Sequence, residues 1–193
     1  MRHFASVRLD RRAFLGAVAI ALPISGGMRA ASAAELGLLG VRHDGRRLAP
    51  GEPAGWKLIY FGYTHCPDVC PTGLQTIAEA MDRLGALGER ITPVFVTVDP
   101  PRDTPPVMAE FVALFHPRFV GVTPDADELR RMAAAWRIKY GKAETGVEGA
   151  YLMDHTSMAL LLDPTDAAVG RISLNLAPEV FAERVAARMS ASR

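Results

Sequence analysis

The chain has 193 residues, 49 % of them apolar and 22 % charged, which is enough apolar mass for one packed domain behind an N-terminal extension. Its formal charge of +1 conceals an asymmetry, because residues 1–33 carry five arginines against a single acid, Asp10, and leave 17 basic and 20 acidic residues in the remainder. That slightly acidic remainder has no basic run and no aromatic-basic interleaving, which excludes nucleic acid as a partner held on a basic face.

The extension reads as an address. Asp10-Arg11-Arg12-Ala13-Phe14-Leu15-Gly16 sets paired arginines before a short apolar stretch, Ala13 to Ile24, and Ala31-Ser32-Ala33 follows as an A-x-A cleavage site. The arrangement resembles a bacterial twin-arginine signal, so residues 1–33 are assigned as signal peptide and 34–193 as the exported domain. The apolar run is short for a hydrocarbon core of ~30 Å, and Pro23, Ser25 and Gly26 interrupt it, so no retained transmembrane helix is expected. Left uncleaved, residues 13–28 would anchor the domain to the membrane. Both readings place it in the periplasm.

Leu36 to Leu48 predicts a short hairpin around the turn pair Asp44-Gly45. Lys57 to Tyr63 is apolar, aromatic and strand-length, which predicts a central strand buried on both faces. The loop Thr64 to Cys70 leads into a helix whose first residue is expected to be Pro71, with Leu74, Ile77, Ala78, Met81 and Leu84 at helical spacing and a stop near Gly85 or Gly88. Thr92 to Val98 predicts a second buried strand. Thr104 is placed to cap a helix begun by Pro105, with Met108, Phe111, Val112 and Phe115 on its apolar face. A short strand at Val120–Val122, a helix over Asp125–Trp136, a third core strand over Ser157–Leu162, a strand beside it at Ile172–Leu176 and a helix over Pro178–Met189 complete the reading. Strands alternating with helices make this an α/β protein with a central mixed β-sheet and helices on both faces. The closing order, strand, strand, helix, is that of a thioredoxin-like fold.

Cys66-Pro67-Asp68-Val69-Cys70 sits where such a fold carries its cysteine pair, between the first central strand and the next helix. A thiol ahead of a helix N-terminus is expected to have a lowered pKa, which favours thiolate. The C-x-x-x-C spacing is one residue longer than that of thiol-disulfide oxidoreductases, and leaves a metal site, a redox pair and a structural disulfide all open. A structural zinc site is disfavoured, since zinc takes four protein ligands and the chain has no third cysteine.

Of the five histidines, His3 lies in the signal, His43 in the predicted turn and His116 at a helix end, while His65 should point away from Cys66 in an extended loop. His155 stands in Asp154-His155-Thr156, ahead of the third core strand, in the loop that faces the cysteines in this fold. Two thiolates and one imidazole form a mostly soft donor set, suited to Cu(I) by sulfur and able to hold Cu(II) through nitrogen. Asp154 is a candidate to orient the imidazole, or merely to cap the strand. Met153 and Met158 read as core filler. Asp99, Arg102 and Asp103 read as a salt-bridged turn, with a docking patch as the alternative.

Tyr60-Phe61-Gly62-Tyr63-Thr64-His65-Cys66-Pro67-Asp68-Val69-Cys70-Pro71-Thr72 resembles the signature of the Sco/SenC copper-chaperone family, Val96 to Pro105 its second motif and Asp154-His155-Thr156 its third. The resemblance runs in order from Trp56 to Leu162. It implies copper ligands at Cys66, Cys70 and His155, and delivery of one copper ion to the copper-site subunit of cytochrome c oxidase during assembly. Other copper proteins would serve as donors. A thiol-disulfide oxidoreductase using Cys66 and Cys70 as a redox pair, to reduce the cysteines of the oxidase copper site, is the alternative. A peroxidase or a copper sensor is more remote. The chain departs from the family pattern in its cleavable signal, in its short segment before Trp56, and in Thr165-Asp166-Ala167-Ala168 where an Asp-Gly turn is usual.

Overall fold

The computed structural model describes residues 37–192, so the signal expected over 1–33 lies outside the described residues. Six strands form one sheet in the order β1 (Val41–Arg42), β4 (Val120–Thr123), β3 (Ile91–Thr97), β2 (Trp56–Gly62), β7 (Met158–Leu162), β8 (Ala168–Ser173). β2, β3 and β4 are parallel, while β1, β7 and β8 join antiparallel to their neighbours, so the sheet is mixed. Every residue of β2 is buried: Leu58 to Phe61 form the apolar run that a strand covered on both faces requires, and Lys57 is buried as an ion pair with Asp166.

The helices are α1 (Val69–Leu84), α2 (Pro105–Ala113), α3 (Ala126–Ala135) and α4 (Pro178–Ala191), with a 3₁₀ segment over Gly85–Arg90. Tyr60 and Phe95 are register partners and therefore share a face of the sheet. On that face Phe95 packs on Phe111 of α2 at 5.5 Å between ring centroids, Gly73 of α1 lies under Tyr60, and α4 packs along α1. The next residue, Phe61, turns to the other face and meets Trp136, just beyond α3, edge-on at 6.1 Å. Successive parallel crossovers in one direction put α1 and α2 on the same side, and the return crossover through α3 covers the opposite side. This is the thioredoxin-like α/β arrangement.

Several expected boundaries shift. α1 begins at Val69 rather than Pro71, and Pro71 remains among the first residues, whose N–H groups have no helical partner. Thr104 occupies the cap position of α2 without a side-chain hydrogen bond, and Asp125 caps α3 with a full capping box to Glu128. The strand beside β7 starts at Ala168 and ends at Ser173, earlier than its apolar residues suggested. The N-terminal hairpin shrinks to two residues of β1 plus one bridge, Val41 to Arg47, around the Asp44-Gly45 turn. An antiparallel hairpin that the apolar pattern does not announce, β5 (Tyr140–Glu144) with β6 (Tyr151–His155), stands outside the main sheet.

Candidate metal centre

The C-terminal ends of parallel strands are where loops of an α/β sheet gather a site. β2 ends there at Gly62, and the chain turns through Tyr63–Asp68 into α1. The turn is fixed from below by Asp103, a fully buried carboxylate. It accepts the Thr64 N–H at 3.0 Å, the Thr64 hydroxyl at 2.6 Å and the Thr97 hydroxyl at 2.6 Å, tying the cysteine loop to β3. A buried carboxylate with this many donors is stable as a structural fastener. Asp103 thus belongs to the turn foreseen in the second motif, and its partners tie that motif to the cysteine loop.

The first helical turn folds Cys70 back over Cys66. The Cys70 N–H lies 3.4 Å from the Cys66 sulfur as donor, and the two thiols are free and buried. Cys70 Sγ occupies the space beside Gly62, where an added Cβ would fall 2.7 Å from that sulfur and 2.7 Å from the Phe95 ring. Only glycine at this strand end leaves room for the thiol. Sequence reasoning singled out the cysteines and missed Gly62, although a glycine inside an aromatic strand signals a close approach.

The third donor arrives from β6, not from a loop. His155 is the last residue of that strand, with Nε2 at 3.1 Å from Cys70 Sγ. Donor atoms of Cys66, Cys70 and His155 all lie within 4.8 Å of one another. Tyr60 and Tyr63 flank the imidazole, each with its ring centroid 5.9 Å away. These rings fix the plane of the imidazole, a role that the two tyrosines of the first motif did not reveal in the sequence. The remaining nitrogen, Nδ1, faces the Thr156 carbonyl at 3.4 Å, while Asp154 points to solvent. Of the two roles open to Asp154, orienting the ring falls to a backbone carbonyl, because alternation along β6 turns adjacent side chains apart.

The electrostatics differ from the expectation at one thiol. Burial pushes the Cys70 thiol well above its ordinary value, outweighing the helix N-terminus. Burial also lowers the His155 imidazole, against weaker upward pulls from the Thr156 and Phe61 backbone and from Asp154. At neutral pH the apo site therefore holds a neutral thiol at Cys70 and a neutral imidazole. A soft cation held here would have to displace the Cys70 proton and would meet an imidazole already free to coordinate.

Among the described residues, the other histidines stay structural. His43 Nδ1 accepts the Gly121 N–H at 2.8 Å, which draws the ring inward from the exposed position expected in the turn. His116 Nδ1 accepts the Arg118 N–H, and His65 is half exposed beside the Thr64 hydroxyl. Met153 is buried and Met158 half-buried as core residues. Asp99 and Arg102 are ion-paired as foreseen. Above the donors lies a cleft of about 270 Å³ lined by Tyr63, Cys66, Pro67, Val69, Leu152 and His155. Val69 and Leu152 stand 45 % and 40 % exposed at its rim.

A family model described as SCO1/SenC matches residues 39–190. Two solved structures with similar folds are ScoI of Arabidopsis thaliana with copper bound and ScoI of Bradyrhizobium japonicum with copper bound. The first is 33 % identical with a TM-score of 0.73 and covers 80 % of this chain and 99 % of that one. The second is 32 % identical with a TM-score of 0.70 and covers 78 % of this chain and 96 % of that one. Protein SenC of Rhodobacter capsulatus is 38 % identical over 129 residues, 67 % of this chain and 58 % of its own length. The mitochondrial SCO1 homolog 1 of Arabidopsis thaliana is 39 % identical over 126 residues, 64 % of this chain and 37 % of its own length. The chain thus spans well under two thirds of those two curated relatives. With the family model covering most of the described residues, and the thiol–thiol–imidazole group standing at the ends of β2 and β6, the chain belongs to the SCO1/SenC family.

Proposed function

We propose that the protein is a copper metallochaperone, binding one copper ion through Cys66, Cys70 and His155 and delivering it to the copper-site subunit of cytochrome c oxidase. The observation that carries the reading is the convergence of three donor atoms from two separate elements within 4.8 Å. Two sulfurs suit Cu(I), and the imidazole extends the set to Cu(II). The copper-bound relatives support the choice of metal. The same reading takes residues 1–33 as a twin-arginine signal and places the mature domain, residues 34–193, in the periplasm, supplied by another copper protein. Among the described residues no helix is long and apolar enough to cross a membrane.

A second reading, reduction of the oxidase's copper-site cysteines, is favoured by one observation: the two sulfurs stand close together, placed to exchange with a disulfide. The two roles separate at His155, which copper needs and dithiol exchange does not. His155→Ala is expected nearly to abolish Cu(II) binding, to weaken Cu(I) less, and to leave reduction of a test disulfide intact. Copper titration of the mature domain reads the first two, and restoration of oxidase activity at limiting copper reads the consequence in cells lacking the native protein. Full restoration by the variant would sink the chaperone reading and promote the reductase.

A further inference from the structure

We propose that Arg102 is a positioning residue for His155, holding the β5–β6 hairpin so that the imidazole stays against the two thiols; the proposal deepens the copper reading and rests on it. The hairpin has little else to hold it. Beyond each other, neither strand packs extensively against another element. At its base hydrogen bonds between exposed Lys139 and half-buried Thr156 close it. Between β5 and the main body runs an apolar cleft of about 540 Å³, bounded by Pro100, Pro101, Leu129, Tyr140 and Met153. A two-stranded ribbon that sinks only Met153 fully into the core, with Tyr151 partly buried beside it, is marginal by itself.

Arg102 supplies the missing attachment. Its Nε donates to Asp99, and its Nη1 donates to the Tyr151 carbonyl at 3.2 Å. The guanidinium carbon stands 3.8 Å from the Tyr151 ring centroid and 5.7 Å from that of Tyr63. The Tyr151 hydroxyl donates to the other Asp99 oxygen at 2.9 Å, and Lys142 Nζ lies 4.2 Å from the same ring centroid. Asp99 is itself buried and anchored on the Thr97 hydroxyl through its N–H. One planar cation therefore joins the end of β3 to β6 by a fork that lysine cannot reproduce.

The hold reaches His155 by two routes. Tyr151, Met153 and His155 alternate along β6 and share its inner face, so a twist that frees Tyr151 turns His155 too. Tyr63, against which Arg102 lies, also meets the imidazole edge-on. Arg102 touches neither the thiols nor the site of the ion. It acts through tyrosines.

The test is Arg102→Met in the mature domain, with and without copper. In the apo protein, amides of residues 140–155 should exchange hydrogen at least about tenfold faster, while amides of β2 and β3 keep their protection. In the Cu(II)-loaded protein, the nitrogen coupling of the electron paramagnetic resonance spectrum should weaken and Cu(II) affinity should fall by roughly 10- to 100-fold, the range for lost outer-shell support. Arg102→Lys, which keeps the charge beside the rings and loses the fork, should fall between. If Arg102→Met fails to fold, Arg102→Lys carries the same two measurements. Unchanged exchange across 140–155 in a folded variant, or an unaltered nitrogen coupling, would overturn the proposal. So would acceleration spread evenly over the sheet, which marks a purely structural residue. The exchange measurement needs no metal, so a wild type that takes up no copper defeats the copper reading alone.

Discussion

The candidate metal centre is assembled from two regions of opposite character. Cys66 and Cys70 hang on β2 and α1, where every strand residue is buried and the loop is fastened by Asp103. His155 hangs on a ribbon whose strands alternate between exposed and half-buried residues, with Met153 alone fully inside. The thiols are therefore held by the core and share its stability, whereas the imidazole is held by local contacts. Regions with few buried contacts open at lower free energy than the sheet they lean on. A site divided this way keeps two strong ligands constant and makes the third adjustable.

That contrast is best broken from its rigid side first. Replacing Cys70 by Ser should abolish Cu(I) binding, a loss beyond the roughly 100-fold ceiling seen for outer-shell changes, as measured by competition with a Cu(I) chelator. Tight Cu(I) binding by that variant would show that the core-held thiol is dispensable. Gly62→Ala follows in size. Its methyl would sit 2.7 Å from both the Cys70 sulfur and the Phe95 ring, and overpacking of this kind costs about 1–3 kcal/mol. Chemical denaturation should report that loss, with copper affinity falling alongside it as the sulfur is displaced. A variant as stable as wild type with full affinity would mean that the strand end is softer than the contacts imply.

The pH dependence of the apo protein sharpens the comparison at intermediate size. For Cys70 the folded-state pKa is raised above the ordinary 9.0, so the folded state holds its proton more tightly than the unfolded one. The contribution is complete below pH 9.0 and is lost progressively as pH rises beyond it. For His155 the folded-state pKa is lowered below the ordinary 6.5, so its contribution is present above 6.5 and is lost as pH falls through the folded value. Apo stability should show a plateau between these limits. Cys70→Ala should flatten the alkaline edge and His155→Gln the acidic one. Edges that survive both substitutions would assign them to other groups. The smallest effect is expected at Asp154→Asn. The carboxylate points to solvent and makes no hydrogen bond to the imidazole, so Cu(II) affinity should change by less than about threefold, the scale of a screened surface charge. A tenfold loss would return Asp154 to the role that its sequence position suggested.

The rigid region was the more legible in the sequence, for a physical reason. Lys57 to Tyr63, Thr92 to Val98 and Ser157 to Leu162 are predominantly apolar because their strands are covered on both faces, and that signal survives without context. Helix starts were legible from Pro71 and Pro105 to within a residue or two. The β5–β6 hairpin was not, since Tyr140 to Glu144 alternates weakly and its turn carries no Asn-Gly or Asp-Gly pair. The cysteines and His155 were found, but the protonation of Cys70 was misjudged. Proximity to a helix start is written in the sequence, while burial of Cys70 beneath Gly62 is made by the fold. The Asp99–Arg102 pair was visible as neighbours, and its reach to Tyr151, about fifty residues on, required the hairpin to be in place.

The space beside Gly62 has a consequence for the order in which ligands can let go. Cys70 Sγ is lodged where a side chain would otherwise stand, walled by Phe95 and the strand, so no incoming group can approach it from behind. Cys66 and His155 border the open cleft. On the copper-chaperone reading, an ion held by these three residues would be open to attack on one side only, so that a recipient thiol would have to enter between Cys66 and His155 and Cys70 would be the last to let go. The direction of transfer would then be set by a missing methyl group.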